Sequence, residues 1–172
     1  MPNECTIRLA TAADSAALGE VYVDCWREAY GHGLLPDSAL DALDPAWIAS
    51  GFAGWHDAGS PVVFVAEDAG NIVGFVVVGP RPGEDETSTT GHVWAIYVRA
   101  SRWDQRVGAA LMQTALDHLR ACKMRDAALW VLKVNPRAQS FYRRGGWEPD
   151  GVARTKTIYG VAIEEVRWRV EL

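Results

Sequence analysis

The stretch from Asn135 to Trp147, NPRAQSFYRRGGW, follows the apolar run Ala127–Leu132. An uninterrupted apolar run of this length is typical of a central strand that is buried on both faces. Asparagine suits the cap of a helix and proline its first turn, so Asn135-Pro136 predicts a helix start. Gly145-Gly146 then ends that helix. The segment predicts a buried strand followed by a short helix.

A second strand–helix junction lies upstream of this segment. His92–Val98 reads as a strand, and Val107–Cys122 carries apolar residues at helical spacing. The first N–H groups of such a helix suit a phosphate, and Arg102 and Arg106 add cationic donors. Many strand–loop–helix units carry an arginine and bind nothing, so this segment alone leaves anion binding open.

The rest of the chain supplies further strands and helices. These are a strand at Thr6–Leu9, a capping box at Thr11–Asp14 and a helix that Gly31 and Gly33 stop; a broken helical region at 36–56; a hairpin of Val62–Glu67 and Ile72–Val78; a loop at 79–91; and a strand at Val166–Leu172 with one wet face. The resulting order is β-α-α-β-β-β-α-β-α-β-β, which predicts a mixed sheet with helices on both faces. The unit from His92 to Leu132 is expected to be parallel with a right-handed crossover.

Composition restricts the class of protein. The chain has 172 residues and a net charge of −5, which disfavours a large nucleic-acid surface. It contains neither a membrane-length apolar run nor the basic, apolar start of a signal peptide. Cys25 and Cys122 fall on apolar helical stripes and are expected to be reduced core thiols. We expect a single domain over 1–172 in the cytoplasm, with no metal, nucleic acid or membrane.

In order and spacing, the two junctions resemble the GNAT N-acetyltransferase family. The residues that carry the resemblance match the pattern N-x-x-A-x-x-F-Y-x-x-x-G-[FW]: Asn135, Ala138, Phe141, Tyr142, Gly146 and Trp147. The resemblance implies an α/β (α+β) GNAT fold with a central mixed sheet of six to seven strands. That sheet would be splayed between its two central parallel strands and flanked by about four helices.

The resemblance also implies acetyl-CoA, or coenzyme A, as co-substrate. The residues expected to bind it are Ile96, Val98, Trp103, Arg106, Val107, Gly108, Ala109, Asn135 and Tyr142. The phosphate loop departs from the family pattern [QR]-x-x-G-x-[GA]: Trp103 stands at the Gln/Arg position and Arg106 at a glycine position. Asp104 would repel a phosphate if it faced inward. We expect a tolerant backbone at position 106, so that the guanidinium donates to the pyrophosphate.

For catalysis, the resemblance implies direct attack by an amine, without an acyl-enzyme. Tyr142 matches the family's general acid, although its sequence context alone also suits a structural role. His92 stands where the family often places a glutamate, and a histidine is a competent base near neutral pH. A surface histidine at a strand edge is the alternative, and Glu67 is a rival base.

The acceptor side is expected to involve residues 22–56, the loop 79–91 and a hairpin near Tyr159. Candidate lining residues are Trp26, Tyr30, Trp94 and Tyr159, which suit an amine with an apolar body or a cation held over a ring. The predicted function is an N-acetyltransferase acting on a small-molecule or protein amine, and a homodimer is compatible with it. A non-catalytic binding or regulatory module and an enzyme for a longer acyl-CoA are the alternatives.

Overall fold

A computed structural model describes residues 5–81 and 89–172, and seven strands within them form one sheet in the order β1-β2-β3-β4-β5-β7-β6. The strands are β1 Thr6–Leu9, β2 Val62–Asp68, β3 Asn71–Gly79, β4 Thr90–Val98, β5 Asp126–Leu132, β6 Glu148–Ile158 and β7 Val161–Glu171. Every neighbouring pair is antiparallel except β4–β5, which is parallel. The predicted mixed sheet with a parallel central pair is confirmed.

Five α-helices within the described residues cover the two faces of the sheet. They are α1 Ser15–Tyr30, α2 Asp37–Asp41, α3 Pro45–Ala58, α4 Val107–Ala121 and α5 Pro136–Arg144. The broken helical region of the sequence forms α2 and α3, so the count is five where about four were expected. The capping box before α1 is present, with the Thr11 N–H donating to Asp14 Oδ2 at 2.7 Å.

The sheet separates two apolar clusters. One lies under α1 and α3 and includes Trp26, Phe52 and Phe75. The other lies under α4 and α5 and includes Leu111 and Trp147. Strand β4 contributes residues to both clusters in alternation, except at a bulge where Trp94 and Ala95 both join the first cluster. Its two faces therefore look toward two different compartments.

The parallel pair opens after three residues. Thr90, Gly91 and His92 pair with β5 residues 126–128, and the register between the two strands goes no further. Burial changes at the same point: residues 90–93 of β4 are buried, whereas residues 94–98 are half-buried. The expected splay between β4 and β5 is confirmed. It leaves a cleft beside the second half of β4.

Two expectations about burial are wrong. Cys25 is buried, but Cys122 is exposed, because it follows the last residue of α4 and helical spacing no longer places it against the sheet. The expected wet face of β7 is wrong at Arg167, which is 7% exposed like the preceding Glu165, whereas Glu171 is exposed as expected. Glu165 and Arg167 are covered because Arg154 and Asp150 from β6 pair with them in turn, at 2.8 and 2.7 Å.

The predicted loop at 79–91 is shorter at its end, since β4 begins at Thr90, and residues 82–88 of it lie outside the described residues. Within the described ranges, no helix is both long and apolar enough to cross a membrane. The same part of the chain holds no group of three or more side chains suited to a metal ion.

Candidate active site

The backbone of β4 presents hydrogen-bonding groups to the cleft. The Arg99 N–H donates to the Val73 carbonyl at 2.9 Å, so residues 73 and 99 form a bonded antiparallel pair. Bonded and non-bonded pairs alternate along an antiparallel ladder. Ile96 and Val98 therefore belong to non-bonded pairs, and their N–H and C=O groups point away from β3. They face the gap that β5 leaves open, where an extended ligand can add as a strand.

The N-terminus of α4 lies at the end of this gap. The first intrahelical bond at this end runs from the Ala110 N–H to the Arg106 carbonyl at 3.0 Å. The N–H groups of Val107, Gly108 and Ala109 precede it and have no partner within the helix. Arg106 is the N-cap residue of α4, and among the described residues its side chain makes no capping hydrogen bond. The three N–H groups and the helix dipole form a donor set that suits a phosphate.

The loop before α4 is held in an unusual backbone conformation. Arg106 has φ 64° and ψ 4°, in the left-handed region that favours glycine, and Asp104 has φ 60°. The expectation of a tolerant backbone at position 106 is therefore wrong, since the glycine of the family pattern matches the conformation found. The Arg106 side chain is nevertheless exposed, so its guanidinium remains available beside the helix terminus.

Trp103 and Arg137 form a contact that the sequence does not indicate. The Trp103 indole N–H donates to the Val98 carbonyl at 2.8 Å. The Arg137 guanidinium lies over the indole ring, 3.7 Å from its centroid, and reaches Asp104 at 3.9 Å. The stack joins the loop before α4 to the first turn of α5. Arg137 lies at an x position of the family pattern, which is why motif reasoning missed it.

Helix α5 places Asn135 and Tyr142 next to the cleft. The Asn135 side chain accepts a hydrogen bond from the Ala138 N–H at 3.1 Å, which confirms its capping role. Tyr142 is buried, and burial raises the pKa of its phenol well above the usual value, with the nearby Tyr30 adding to the rise. Tyr142 is therefore protonated at neutral pH, as a general acid must be.

His92 lies in the closed part of the parallel pair. It is 1% exposed and has Gly79 and Ala128 as its strand neighbours, so the surface-histidine alternative is wrong. A Cβ at Gly91 would contact Leu119 of α4, so strand alternation places the His92 side chain on the face of α1. Its role as base stays a prediction.

The rival base Glu67 is held at the outer part of the sheet. Its carboxylate is 2.6 Å from the Arg8 guanidinium, which also bonds Asp14 at 2.8 Å. Strand β3 separates β2, which carries Glu67, from β4 and the cleft. These contacts explain Glu67 as part of an ion-pair network and give no support to a catalytic role.

An aromatic cluster faces the cleft from the side of α1. Three of the four candidate lining residues meet there: Trp26 lies 4.8 Å from Tyr30 and 6.3 Å from Tyr159, measured between ring centroids. Trp94 is half-buried against Trp55 at 5.6 Å, in another part of the same face.

Tyr97 also belongs to the aromatic cluster, although it was not among the candidate lining residues. Its hydroxyl is 3.4 Å from that of Tyr30, and its ring is 6.4 Å from Trp26. Burial raises the pKa of both phenols. The signal was present in the sequence, because alternation along β4 places Tyr97 on the face opposite Ile96 and Val98. The cleft thus has backbone donors on one side and aromatic side chains on the other.

The amino-acid sequence matches the profile of a known family over most of its length. The profile of the acetyltransferase (GNAT) family matches residues 16–147. The chain belongs to the GNAT acetyltransferase family and is therefore an acyltransferase.

Relatives of this chain agree with that assignment. The uncharacterized N-acetyltransferase YuaI of Bacillus subtilis is 31% identical over 163 residues, covering 94% of this chain and 90% of its own. Two solved structures share the fold. The PaiA N-acetyltransferase of Thermoplasma acidophilum, in complex with coenzyme A, superposes with a TM-score of 0.78 at 14% identity, covering 98% and 99% of the two chains. The ribosomal-protein-alanine N-acetyltransferase of Brucella melitensis superposes with a TM-score of 0.76 at 20% identity, covering 97% and 99%.

Proposed function

We propose that the chain transfers the acetyl group of acetyl-CoA to a primary amine that attacks the thioester directly. The observation that carries the proposal is the opening of the β4–β5 pair beside the outward-facing backbone of Ile96 and Val98. A pantetheine arm is an extended chain with two amide groups, so it can pair with this backbone like a strand. The coenzyme complex of the Thermoplasma structure supports coenzyme A as the co-substrate.

The end of the cleft suits the anionic part of the coenzyme. The N–H groups of Val107, Gly108 and Ala109 and the exposed Arg106 guanidinium would hold the pyrophosphate. Gly108 lets the first turn of α4 pack closely on α5, since an added Cβ there would contact Phe141 at 3.4 Å. These groups bind and orient, and they bring the thioester carbonyl to the β4 backbone.

The residues around the thioester would move charge and protons in three places. A backbone N–H on the Ile96–Val98 stretch would stabilise negative charge on the carbonyl oxygen. As the amine nitrogen bonds the acetyl carbon and the carbon–sulfur bond breaks, the Tyr142 hydroxyl would give its proton to the sulfur, and the proton that the nitrogen loses on becoming an amide would restore the phenol. The ammonium proton must leave before attack, and His92 is the proposed acceptor.

The distance between His92 and Ile96 determines how the imidazole would accept the ammonium proton. His92 lies four positions before Ile96, which is about 13 Å along a strand. The proton would therefore travel through water or hydroxyl groups rather than directly from amine to imidazole. Tyr97 lies farther along the same face of β4, with its hydroxyl beside that of Tyr30, and these phenols are candidates for such a path.

The aromatic cluster points to the acceptor class. Tyr159 stands at the tip of the β6–β7 hairpin, 39% exposed, with its ring edge-on to Trp26. Rings in this arrangement favour an amine with an apolar or aromatic body, or an ammonium group over a ring face. An amine on a small molecule and one on a protein terminus both fit this description.

A thermal-shift titration with acetyl-CoA and with free coenzyme A tests the proposal first. Ligand at 100 times its dissociation constant is expected to add about 2.7 kcal/mol to the free energy of unfolding. A panel that contrasts arylalkylamines with polyamines would then test the acceptor class. The non-catalytic alternative predicts that the melting temperature responds to coenzyme while no amine is consumed. The retained Tyr142 and Asn135 favour the enzyme over this alternative. The only basis of the alternative is the set of departures in the phosphate loop.

A further inference from the structure

The Val98 carbonyl has a hydrogen-bond donor from within the chain. Its oxygen points into the gap beside β4, and the Trp103 indole N–H lies 2.8 Å from it. An added extended chain would run about 4.8 Å from β4 in the same direction. The Trp103 indole nitrogen is only 2.8 Å from that oxygen, so the ring occupies space that the added chain would need. The ring and an added chain therefore compete for the same place at Val98.

The indole is held in this place from its other side. The Arg137 guanidinium covers the ring face at 3.7 Å and also reaches the Asp104 carboxylate at 3.9 Å. Trp103 is half-buried, so its contact with Arg137 is partly shielded from water, whereas the Asp104 side chain is 89% exposed. A planar guanidinium over an indole is a favourable cation–π arrangement. The stack holds the indole in this position.

We infer that Trp103 is an internal competitor for the coenzyme: its indole N–H must leave the Val98 carbonyl before the pantetheine arm can pair there, and this exchange lowers coenzyme affinity. The inference rests on the proposed function, because it requires a coenzyme in the cleft. It reverses the ordinary expectation for a residue of a binding loop, since removing the indole donor should strengthen binding.

Trp103→Phe tests the exchange by calorimetric titration with coenzyme A. Phenylalanine keeps a ring under Arg137 but has no N–H to donate. The hydrogen bond that the coenzyme must displace in the wild type is then absent, so coenzyme A is expected to bind about 2- to 12-fold more tightly. Trp47→Phe is the matched control, because Trp47 is 68% exposed on α3 and its indole should not affect binding.

A second ligand localises the effect. Adenosine 3′,5′-diphosphate carries phosphates but no pantetheine arm, so Trp103→Phe and the wild type should bind it equally. Equal or weaker coenzyme A binding by Trp103→Phe would overturn the inference while leaving the proposed function intact. A gain of the same size for both ligands would also overturn it, because the effect would not arise at Val98. If neither protein binds coenzyme A, the proposed function fails and the inference fails with it.

The wild-type chain gives an independent readout that does not depend on the variant folding. With ¹⁵N-labelled tryptophan, the Trp103 indole N–H signal, assigned through its own ring protons, should exchange slowly with solvent before coenzyme is added. Saturating coenzyme A should accelerate that exchange, because the bond to Val98 has been given up. Unchanged protection at saturation would show that both donors share the oxygen, and the inference would then be wrong.

Discussion

Arg106→Gly is expected to change stability and coenzyme binding in opposite directions. Arg106 holds φ 64°, and a side chain in the left-handed region costs about 1 kcal/mol relative to glycine. Removing that strain should raise the melting temperature by about 2–4 °C in a domain of this size. The same change removes an exposed guanidinium beside the N-terminus of α4. A hydrogen bond to a charged group is worth about 1.5–3 kcal/mol, which solvent and salt reduce here to about 1 kcal/mol.

Coenzyme A should therefore bind the glycine variant about 5-fold more weakly at low salt, and the difference should shrink as salt is added. Thermal unfolding and calorimetric titration at two salt concentrations measure both effects. Arg106→Asn separates their causes, since asparagine tolerates the left-handed region but carries no charge. It should share the weaker binding and part of the gain in stability. Tighter coenzyme binding by Arg106→Gly would show that Arg106 obstructs the pyrophosphate and would refute the reasoning.

Three further predictions concern single side chains. Tyr142→Phe is expected to lower turnover by about 10²–10⁴-fold with little change in coenzyme A affinity, because only the acid is lost; steady-state kinetics at wild-type level would remove Tyr142 from the mechanism. His92→Ala should abolish the acidic limb of the rate profile between about pH 6 and 8; if both the rate and the limb survive in a pH series, the base lies elsewhere. Bonds from Arg8 hold the pKa of Asp14 well below its usual range. A carboxylate with a lowered pKa stabilises the fold above the ordinary carboxyl range and loses that contribution as the pH falls through its folded-state value. Asp14→Asn should therefore lower the free energy of unfolding by about 1–3 kcal/mol at neutral pH and flatten its decline below about pH 4; urea unfolding across pH 2–7 checks both, and an unchanged acid profile would contradict the assignment.

Much of the fold follows from local pattern. The apolar run before Asn135 became β5, and the cap, proline and glycines around α5 act where the residue types predicted. Periodicity could not predict the burial of Arg167, because its cover comes from Asp150 on β6 and from the Trp130 ring, 5.8 Å away. Sequence pattern alone predicts that a polar residue on a strand faces solvent, because its partners on other strands are not known.

The candidate site was likewise predicted only in part from the sequence. Motif spacing identified Tyr142, Asn135 and the N-terminus of α4. It did not identify Arg137 or Tyr97, because their contacts, with Trp103 and Tyr30, join segments far apart in sequence. Nor did it predict that Arg106 keeps the left-handed backbone of a glycine, since a side chain's identity alone does not reveal the conformation that its neighbours impose.

The central claim is amine-dependent transfer from acetyl-CoA, and turnover measures it most directly. The purified chain is incubated with acetyl-CoA and the amine panel; the released thiol is followed with a thiol reagent, and the acetylated amine is identified by mass. Thiol release that depends on an amine, matches the acetylated product one to one and falls by about 10²-fold or more in Tyr142→Phe is the expected result. Coenzyme binding without thiol release for every class of amine would contradict the account and favour a non-catalytic module.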